Sequence, residues 1–513
     1  MFHCARRFFN RFLSCPKFSV DFVPEPSAIS LLPVLVTLFV ALTVRNVLVG
    51  LFCGVLTGAV MLTETGLLRF FPELVRDFLV PQVADSYNAS VLVLLAFIGG
   101  FVKLIERSGG GAAFAATVVR WVTDKVRAQL GAWLGGIMIF FSDLGTPLIV
   151  GPVFQPLTDR LGVSRQKLAF ILDSTSSPVA ILVPFIGWGV FTMSVIADAF
   201  GANNVAQSEW DAFVAAIPFQ FYAWLAISMV PLLTVMRFDF GPMRIADTEA
   251  SAAPIATEHR NEESAARPVF VWLPLLVLGA TLFTTLTQLG FPFQQVAGSE
   301  FRAGLSAAYF LAAITLVALM LWFRAAAAVS AIATYIEGMT GMMPIAATLV
   351  LAWALGSVSE ALGTGLFVAE VARDGIPGWL LPSVTFLLAA IISFASGSSW
   401  GTIIIMMPLA VPAALATGAT MPVVIGAVLS GGLFGDHSSP VSETTILSST
   451  GAGTTPLAHF QTQLPYALTN GVIALAGYLV AGATASPALV LPVIALQLIV
   501  IWVLRRKAAV AVE

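Results

Sequence analysis

Charge is what this 513-residue chain has least of: Asp, Glu, Lys and Arg make up 10% of it, against about 25% in a soluble globular domain. With 58% hydrophobic residues and a mean hydropathy of +0.92, the chain cannot hide its apolar surface in soluble cores. An ordinary soluble enzyme is thereby excluded, and a polytopic membrane protein is implied. Cysteine is scarce too: Cys4, Cys15 and Cys53 make neither a disulfide framework nor the close pairs of a zinc site. The formal net charge is −3 and the only basic run is Arg505, Arg506, Lys507, so nothing reads as a nucleic-acid surface. No lysine follows a glycine, so there is no Walker A loop and no ATP-driven pumping by this polypeptide. Residues 1–28 carry Arg6, Arg7, Arg11 and Lys17, but no small-residue cleavage site follows the apolar run at 29–44, which reads as a retained helix.

What is present is a series of apolar runs long enough to span a bilayer, or nearly so. They lie at about 29–44, 46–63, 90–105, 168–197, 212–236, 268–287, 304–323, 342–358, 420–450, 461–482 and 486–504, eleven candidates in all. Two further runs, 130–157 and 379–416, are interrupted by SDLGT at 142–146 and SGSSWGT at 396–402, and each reads as two half-helices. The polar, Ala-rich stretch 238–267 reads as a flexible cytoplasmic linker that divides the chain nearly in half.

The halves are related. A shift of 256 places Ser142, Gly145, Thr146, Ile149, Pro152 and Pro156 on Ser398, Gly401, Thr402, Ile405, Pro408 and Pro412, six identities in fifteen positions. With six more residues inserted, the SSPV at 176–179 falls on the SSPV at 438–441. Basic residues gather at 103–127, at 160–167, in the linker and at the C-terminus, while 198–211 has acids and no cation. For the first two clusters to share the cytoplasmic side, 130–157 must dip in and return as a re-entrant hairpin, and 379–416 should do likewise.

The expected fold is therefore an all-α polytopic membrane protein with two inverted-topology repeats, each holding a re-entrant hairpin and a broken helix, and about eleven crossings. Its expected parts are an N-terminal segment 1–28, a first repeat 29–237, the linker 238–267, a second repeat 268–483, and a final helix with a cytoplasmic tail, 484–513. This count puts the basic N-terminus outside, against the positive-inside rule, unless residues 1–28 lie along the interface.

Irregular backbone at membrane depth survives only where protein or a water-filled cavity satisfies it, and inverted repeats with discontinuous helices are the usual construction of secondary transporters. The four breaks supply hydroxyls at Ser142, Thr146, Ser174, Thr175, Ser176, Ser396, Ser398, Ser399, Thr402, Ser438, Ser442 and Thr444. They supply carboxylates at Asp143, Asp173, Asp436 and Glu443. Such oxygen ligands suit a hard cation such as Na⁺. A charge deep in a bilayer costs roughly 2.5–3.5 kcal/mol, so each acid must be paired, hydrated, protonated or ligating. Helix capping by the aspartates is the alternative, and Glu443 could simply face an aqueous vestibule. His437 is either a satisfied core imidazole or a proton-linked group. Glu106 and Glu360 read first as interfacial acids, and Arg45 as a snorkelling cation.

GSSWG at 397–401 matches G-x-S-x-G, with Ser399 as nucleophile and His437 or His459 as base, but that elbow belongs between a strand and a helix. Apolar helical arms flank it here, and the repeat partner of Ser399 is Asp143, so an intramembrane serine hydrolase is a remote alternative. A channel would need a continuous pore and no alternating sites.

FGDHSSPVSETTILSSTGAG at 434–453, GSSWGT at 397–402, VGPVFQPLTDR at 150–160 and LAFILDSTSSPV at 168–179 resemble signatures of the NhaC-type sodium/proton antiporter family, in one collinear order over about 30–480. The resemblance implies an ion-transporter architecture of two inverted repeats with paired hairpins. It implies functional positions at Asp143, Asp173, Ser398, Ser399, Thr402, Asp436, His437, Ser439 and Glu443. The first hairpin departs from the family's usual Asp-Asp-Tyr-x-Asn pattern, and Glu443 replaces a commoner Asp.

The expectation is a proton-coupled sodium antiporter of a bacterial-type plasma membrane, working by alternating access. Its partners are membrane lipid, the transported Na⁺ and protons, and no cofactor or nucleic acid. Asp173, Asp436, Asp143 and Glu443 are the candidate proton carriers, with Na⁺ at the same oxygens. The alternative is a Na⁺- or H⁺-coupled exchanger of organic acids or amino acids, in which half-helix N-termini hold a carboxylate. Oligomeric state is left open, with a homodimer among the alternatives.

Overall fold

A computed structural model describes residues 27–44, 46–63, 67–111, 113, 122–252, 267–290 and 298–510. Readings placed on residues 1–26, on Arg45, on Arg120 and on linker positions 253–266 lie outside them. The described residues are almost entirely helical and contain no strand. Seven helices among them are long and apolar enough to cross a bilayer: Ser86–Ser108, Val269–Gln288, Glu300–Trp322, Ala328–Ala361, Ser399–Thr417, Pro456–Thr484 and Pro487–Ala508. An eighth is the pair Glu209–Phe219 and Phe221–Met236, bent by 45° where Gln220 interrupts it. The apolar runs at 29–44 and 46–63 form the shorter helices Ala28–Val44 and Val47–Leu62, packed on one another. Those at 168–197 and 420–450 are each broken.

Small residues set the closest helix approaches, as expected where there is no hydrophobic drive between helices. Gly431 and Gly435 lie one turn apart on Met421–His437, and a side chain at either would collide with the carbonyl of Phe386 or Ala390 on Leu381–Ser396. Interhelical hydrogen bonds supply the rest. On the last helix, buried Gln497 donates to Asn470 Oδ1 and to the Leu225 carbonyl, both at 2.7 Å, and accepts from Ser228 at 2.7 Å. Outward-facing Leu491, Ile499 and Trp502 leave that helix an apolar face suited to lipid.

The two interrupted runs form helical hairpins. Asp124 caps Lys125–Met138 by accepting from the Val126 and Arg127 amides. Exposed at the hairpin base, its carboxyl is held below the ordinary carboxylate range by the Arg127 N–H. After the turn at 139–144 the chain returns as Gly145–Arg160, and Lys125 Nζ reaches the Gly162 carbonyl at 2.7 Å, so the hairpin's two ends meet. In the second, Leu381–Ser396 ends at Gly397, whose φ of +67° suits glycine, and Ser399–Thr417 follows.

Part of the stretch expected to be a free linker is docked. Residues 242–252 form a helix, Met243 is fully buried, and the segment is tied down by charge. Asp247 accepts from Lys125 at 2.7 Å and from the Ser164 amide at 3.0 Å. Asp239 takes the ammonium of the fully buried Lys167 and the Tyr466 hydroxyl. Composition alone could not reveal these pairings, because the partners lie more than seventy positions away.

Candidate functional site

Each hairpin is followed by a helix that breaks at Ser-Ser-Pro. Arg165–Thr175 stops at Ser176, whose ψ of −98° is not helical, and the proline at 178 prevents the helix from continuing in register. Met421–His437 stops at Ser438 and restarts as Glu443–Ala452. Local bonding repeats between the halves. The Gly145 amide donates to Ser142 Oγ at 2.9 Å and Thr146 Oγ1 to the Ser142 carbonyl at 2.7 Å. Gly401 and Thr402 treat Ser398 the same way, at 3.2 and 2.8 Å. Ser176 Oγ donates to the Asp173 carbonyl at 3.0 Å, and Ser438 Oγ to that of the corresponding Gly435 at 3.2 Å.

The candidate residues fall into two neighbouring groups. The first is a buried centre around Asp173, which is fully inaccessible near the C-terminal end of its helix, where a negative charge opposes the helix dipole. The compensation comes from elsewhere in the chain. His459 Nε2 stands 3.4 Å from one carboxylate oxygen and His437 Nε2 3.9 Å from the other. Gln463 donates to Asp173 at 2.5 Å and to the His437 carbonyl at 3.0 Å, and Ser448 donates to Asp173 at 3.3 Å. Tyr222 OH lies 3.4 Å from His437 Nδ1. His459 Nδ1 and Gln463 Oε1 are buried and make no hydrogen bond to protein atoms, so the centre has acceptor and donor capacity beyond the contacts within it.

Asp436 is buried beside this centre but is satisfied differently. Its two oxygens accept from Ser442 Oγ at 2.6 Å and Thr444 Oγ1 at 3.1 Å, bridging the break to the first turn of the next helix. Ser439 is fully buried, and its carbonyl accepts from Thr445 at 3.3 Å. Thr175 donates to the Ile171 carbonyl and Ser396 to that of Ser393. Ser174 and Ser399 are both buried. Half of the hydroxyls singled out from sequence, Thr146, Thr175, Ser176, Ser396, Thr402 and Ser438, thus spend their hydrogen on local backbone, while Ser142, Ser442 and Thr444 meet carboxylates.

The second group lines a cavity of about 700 Å³ between the hairpin tips and the helices Ser86–Ser108 and Ala328–Ala361. Ser142, Asp143, Ser398 and Glu443 face it, together with Glu106, Lys103, Trp188 and Trp400. Trp188 Nε1 donates to Asp143 Oδ2 at 2.5 Å, and the two indoles pack with centroids 4.5 Å apart. Glu106, read first as interfacial, accepts from Ser142 at 3.3 Å and lines the cavity.

Sequence reasoning missed Gln463, Ser448 and Tyr222, and considered His459 only as a hydrolytic base. The available signal was the four-residue spacing of His459 and Gln463, which puts both on one helix face. The serine-hydrolase constellation is not assembled among the described residues: Ser399 begins a helix that follows another helix, and neither imidazole hydrogen-bonds a serine hydroxyl.

Helices broken in apolar surroundings, hairpin tips facing one cavity and a buried carboxylate–imidazole centre are the features of a secondary antiporter, a multi-pass membrane protein. The chain belongs to the Na⁺/H⁺ antiporter family, whose pattern matches residues 179–483. An uncharacterized Haemophilus influenzae protein is 31% identical over 94% of this chain and 96% of its own length. The malate-2H⁺/Na⁺-lactate antiporter of Bacillus subtilis is 33% identical over 103 residues, 19% of this chain and 22% of that protein. The arginine/ornithine antiporter ArcD of Halobacterium salinarum is 38% identical over 108 residues, 20% and 22% of the two chains. Among solved structures, the Alcanivorax borkumensis YdaH transporter shares the fold with a TM-score of 0.61 at 17% identity, covering 89% of this chain and 99% of that one.

Proposed function

We propose that this protein is a proton-coupled sodium antiporter of a bacterial plasma (inner) membrane, with Asp173 as the group that Na⁺ and the proton contest. The observation that carries the reading is a fully buried carboxylate held between two imidazoles at a helix break. When His437 or His459 is protonated, the imidazolium neutralises Asp173. Once the proton leaves, a buried carboxylate needs another cation, and Na⁺ can be held there by the carboxylate and by Gln463 Oε1, both hard oxygen ligands. The centre is neutral with either ion and disfavours both together, and that competition is the exchange.

In this reading the duplicated hairpins and broken helices are two inverted repeats within eleven crossings, and access alternates as the hairpin-bearing part moves against the remaining helices. The repeated Ser142/Gly145/Thr146 and Ser398/Gly401/Thr402 bonding supports it. Proteoliposomes test the function: Na⁺-driven proton movement should be abolished by Asp173→Asn while thermal stability stays near wild type. Unchanged exchange in a folded Asp173→Asn variant would refute the assignment.

A second reading, exchange of an organic solute coupled to Na⁺ or H⁺, is favoured by the cavity volume of about 700 Å³, far above the ~30 Å³ one water occupies. It agrees with the names of the two partial relatives, which exchange organic ions.

A further inference from the structure

We infer that the cavity between the hairpin tips is a binding site for a small organic cation, a primary ammonium or guanidinium compound with an apolar body. This rests on the antiporter reading and names the class of its second solute. The volume lies within the 300–1,000 Å³ range typical of small-molecule sites. Its charge is one-sided: Glu106, Asp143, Glu337 and Glu443 face a single cation, Lys103. Lys103 is already shared between Glu106 at 3.7 Å and Glu337 at 3.6 Å. Asp143 and Glu443 have no basic side chain within ion-pair distance among the described residues, and Asp143 is held in place by the Trp188 N–H.

Beside these acids stand the indoles of Trp188 and Trp400, the aromatic type with the strongest attraction for a cation. An organic anion would meet the opposite arrangement: four carboxylates, and one ammonium already engaged. Bare Na⁺ would use neither the volume nor the indoles. Leu95, Ile98 and Met342 also line the cavity and are available to the body of the solute.

The test is equilibrium binding to the purified full-length protein in detergent, with tyramine and agmatine as cationic probes and succinate as the anionic one. Tyramine and agmatine should bind and succinate should not. Asp143→Asn and Glu443→Gln should each weaken the cations about tenfold. Trp400→Leu should weaken tyramine several-fold, and Trp400→Phe should recover most of the loss. Lys103→Met provides a test of opposite sign: it should tighten a bound cation and would loosen a bound anion. Succinate binding that Lys103→Met weakens, or cation binding indifferent to both acid substitutions, would overturn the proposal. Na⁺-driven proton movement measured on the same preparation separates the two readings. Exchange without binding of either cationic probe removes this inference alone. Cation binding without exchange removes the sodium antiporter and leaves this site standing.

Discussion

His459 Nε2 lies 3.4 Å from Asp173 Oδ2, joining the helix before one Ser-Ser-Pro break to Pro456–Thr484, the second helix after the other. Neither side chain has any solvent exposure. A buried carboxylate can keep its charge only with a compensating partner, and here the partner is itself titratable. Proton binding at the imidazole and cation binding at the carboxylate are therefore linked through one short contact.

That linkage predicts distinct phenotypes for the two histidines. His459→Gln retains a polar side chain but cannot carry a proton, and it should remove most Na⁺-driven proton movement in a folded protein. His437 is farther from Asp173, at 3.9 Å, and is shared with Tyr222, so His437→Gln should reduce the rate by less. The reverse ranking, measured by a pH-sensitive dye in proteoliposomes, would transfer the proton role to His437.

The docked segment makes a stability prediction. Lys167 is wholly buried, pairs with Asp239, and lies 5.4 and 5.5 Å from the ring centroids of Phe170 and Tyr466. Removing one member of such a pair strands the other, so Lys167→Met should destabilise by ~3–5 kcal/mol. Combining Lys167→Met with Asp239→Leu should recover most of that loss. Thermal unfolding in detergent checks both, and a double variant no more stable than Lys167→Met would show that the pair is not the cause.

Topology can be read by cysteine labelling in a background with Cys4, Cys15 and Cys53 replaced. Arg127→Cys and Arg165→Cys occupy exposed positions at the two ends of the first hairpin and should react with an impermeant maleimide from the same, cytoplasmic, face. Asp374→Cys, exposed before the second hairpin, should react from the opposite face if the repeats are inverted. Labelling of the first two from opposite faces would end the hairpin reading.

The parts of the fold legible in the sequence are those where polar residues interrupt apolar runs. SDLGT and SGSSWGT mark the hairpin turns, and Ser176 and Ser438 mark the helix breaks, because small hydroxyl residues and proline have no other reason to sit there. The centre's other wall was not legible in the same way. Gln463, Ser448 and Tyr222 occupy continuous helices whose pattern is that of ordinary packing, and only folding brings them to Asp173 or His437. Composition also misled at 238–252, where a polar stretch is held by salt bridges to Lys125 and Lys167 that no local pattern encodes.

The two buried aspartates of the broken helices should separate in experiment. Asp436 accepts from two hydroxyls, Ser442 and Thr444, and has no imidazole at ion-pair distance among the described residues, whereas Asp173 has two. An amide at 436 keeps one acceptor oxygen and turns its nitrogen toward a hydroxyl that can rotate to accept. Asp436→Asn should then cost about 1–2 kcal/mol of stability and leave Na⁺-driven proton movement with its wild-type pH profile. Asp173→Asn cannot neutralise a protonated imidazole or bind Na⁺ as a charge, so exchange should disappear in a folded protein. If Asp436→Asn abolishes exchange while Asp173→Asn preserves it, the contested group is Asp436, and the imidazole-flanked carboxylate is a structural ion pair.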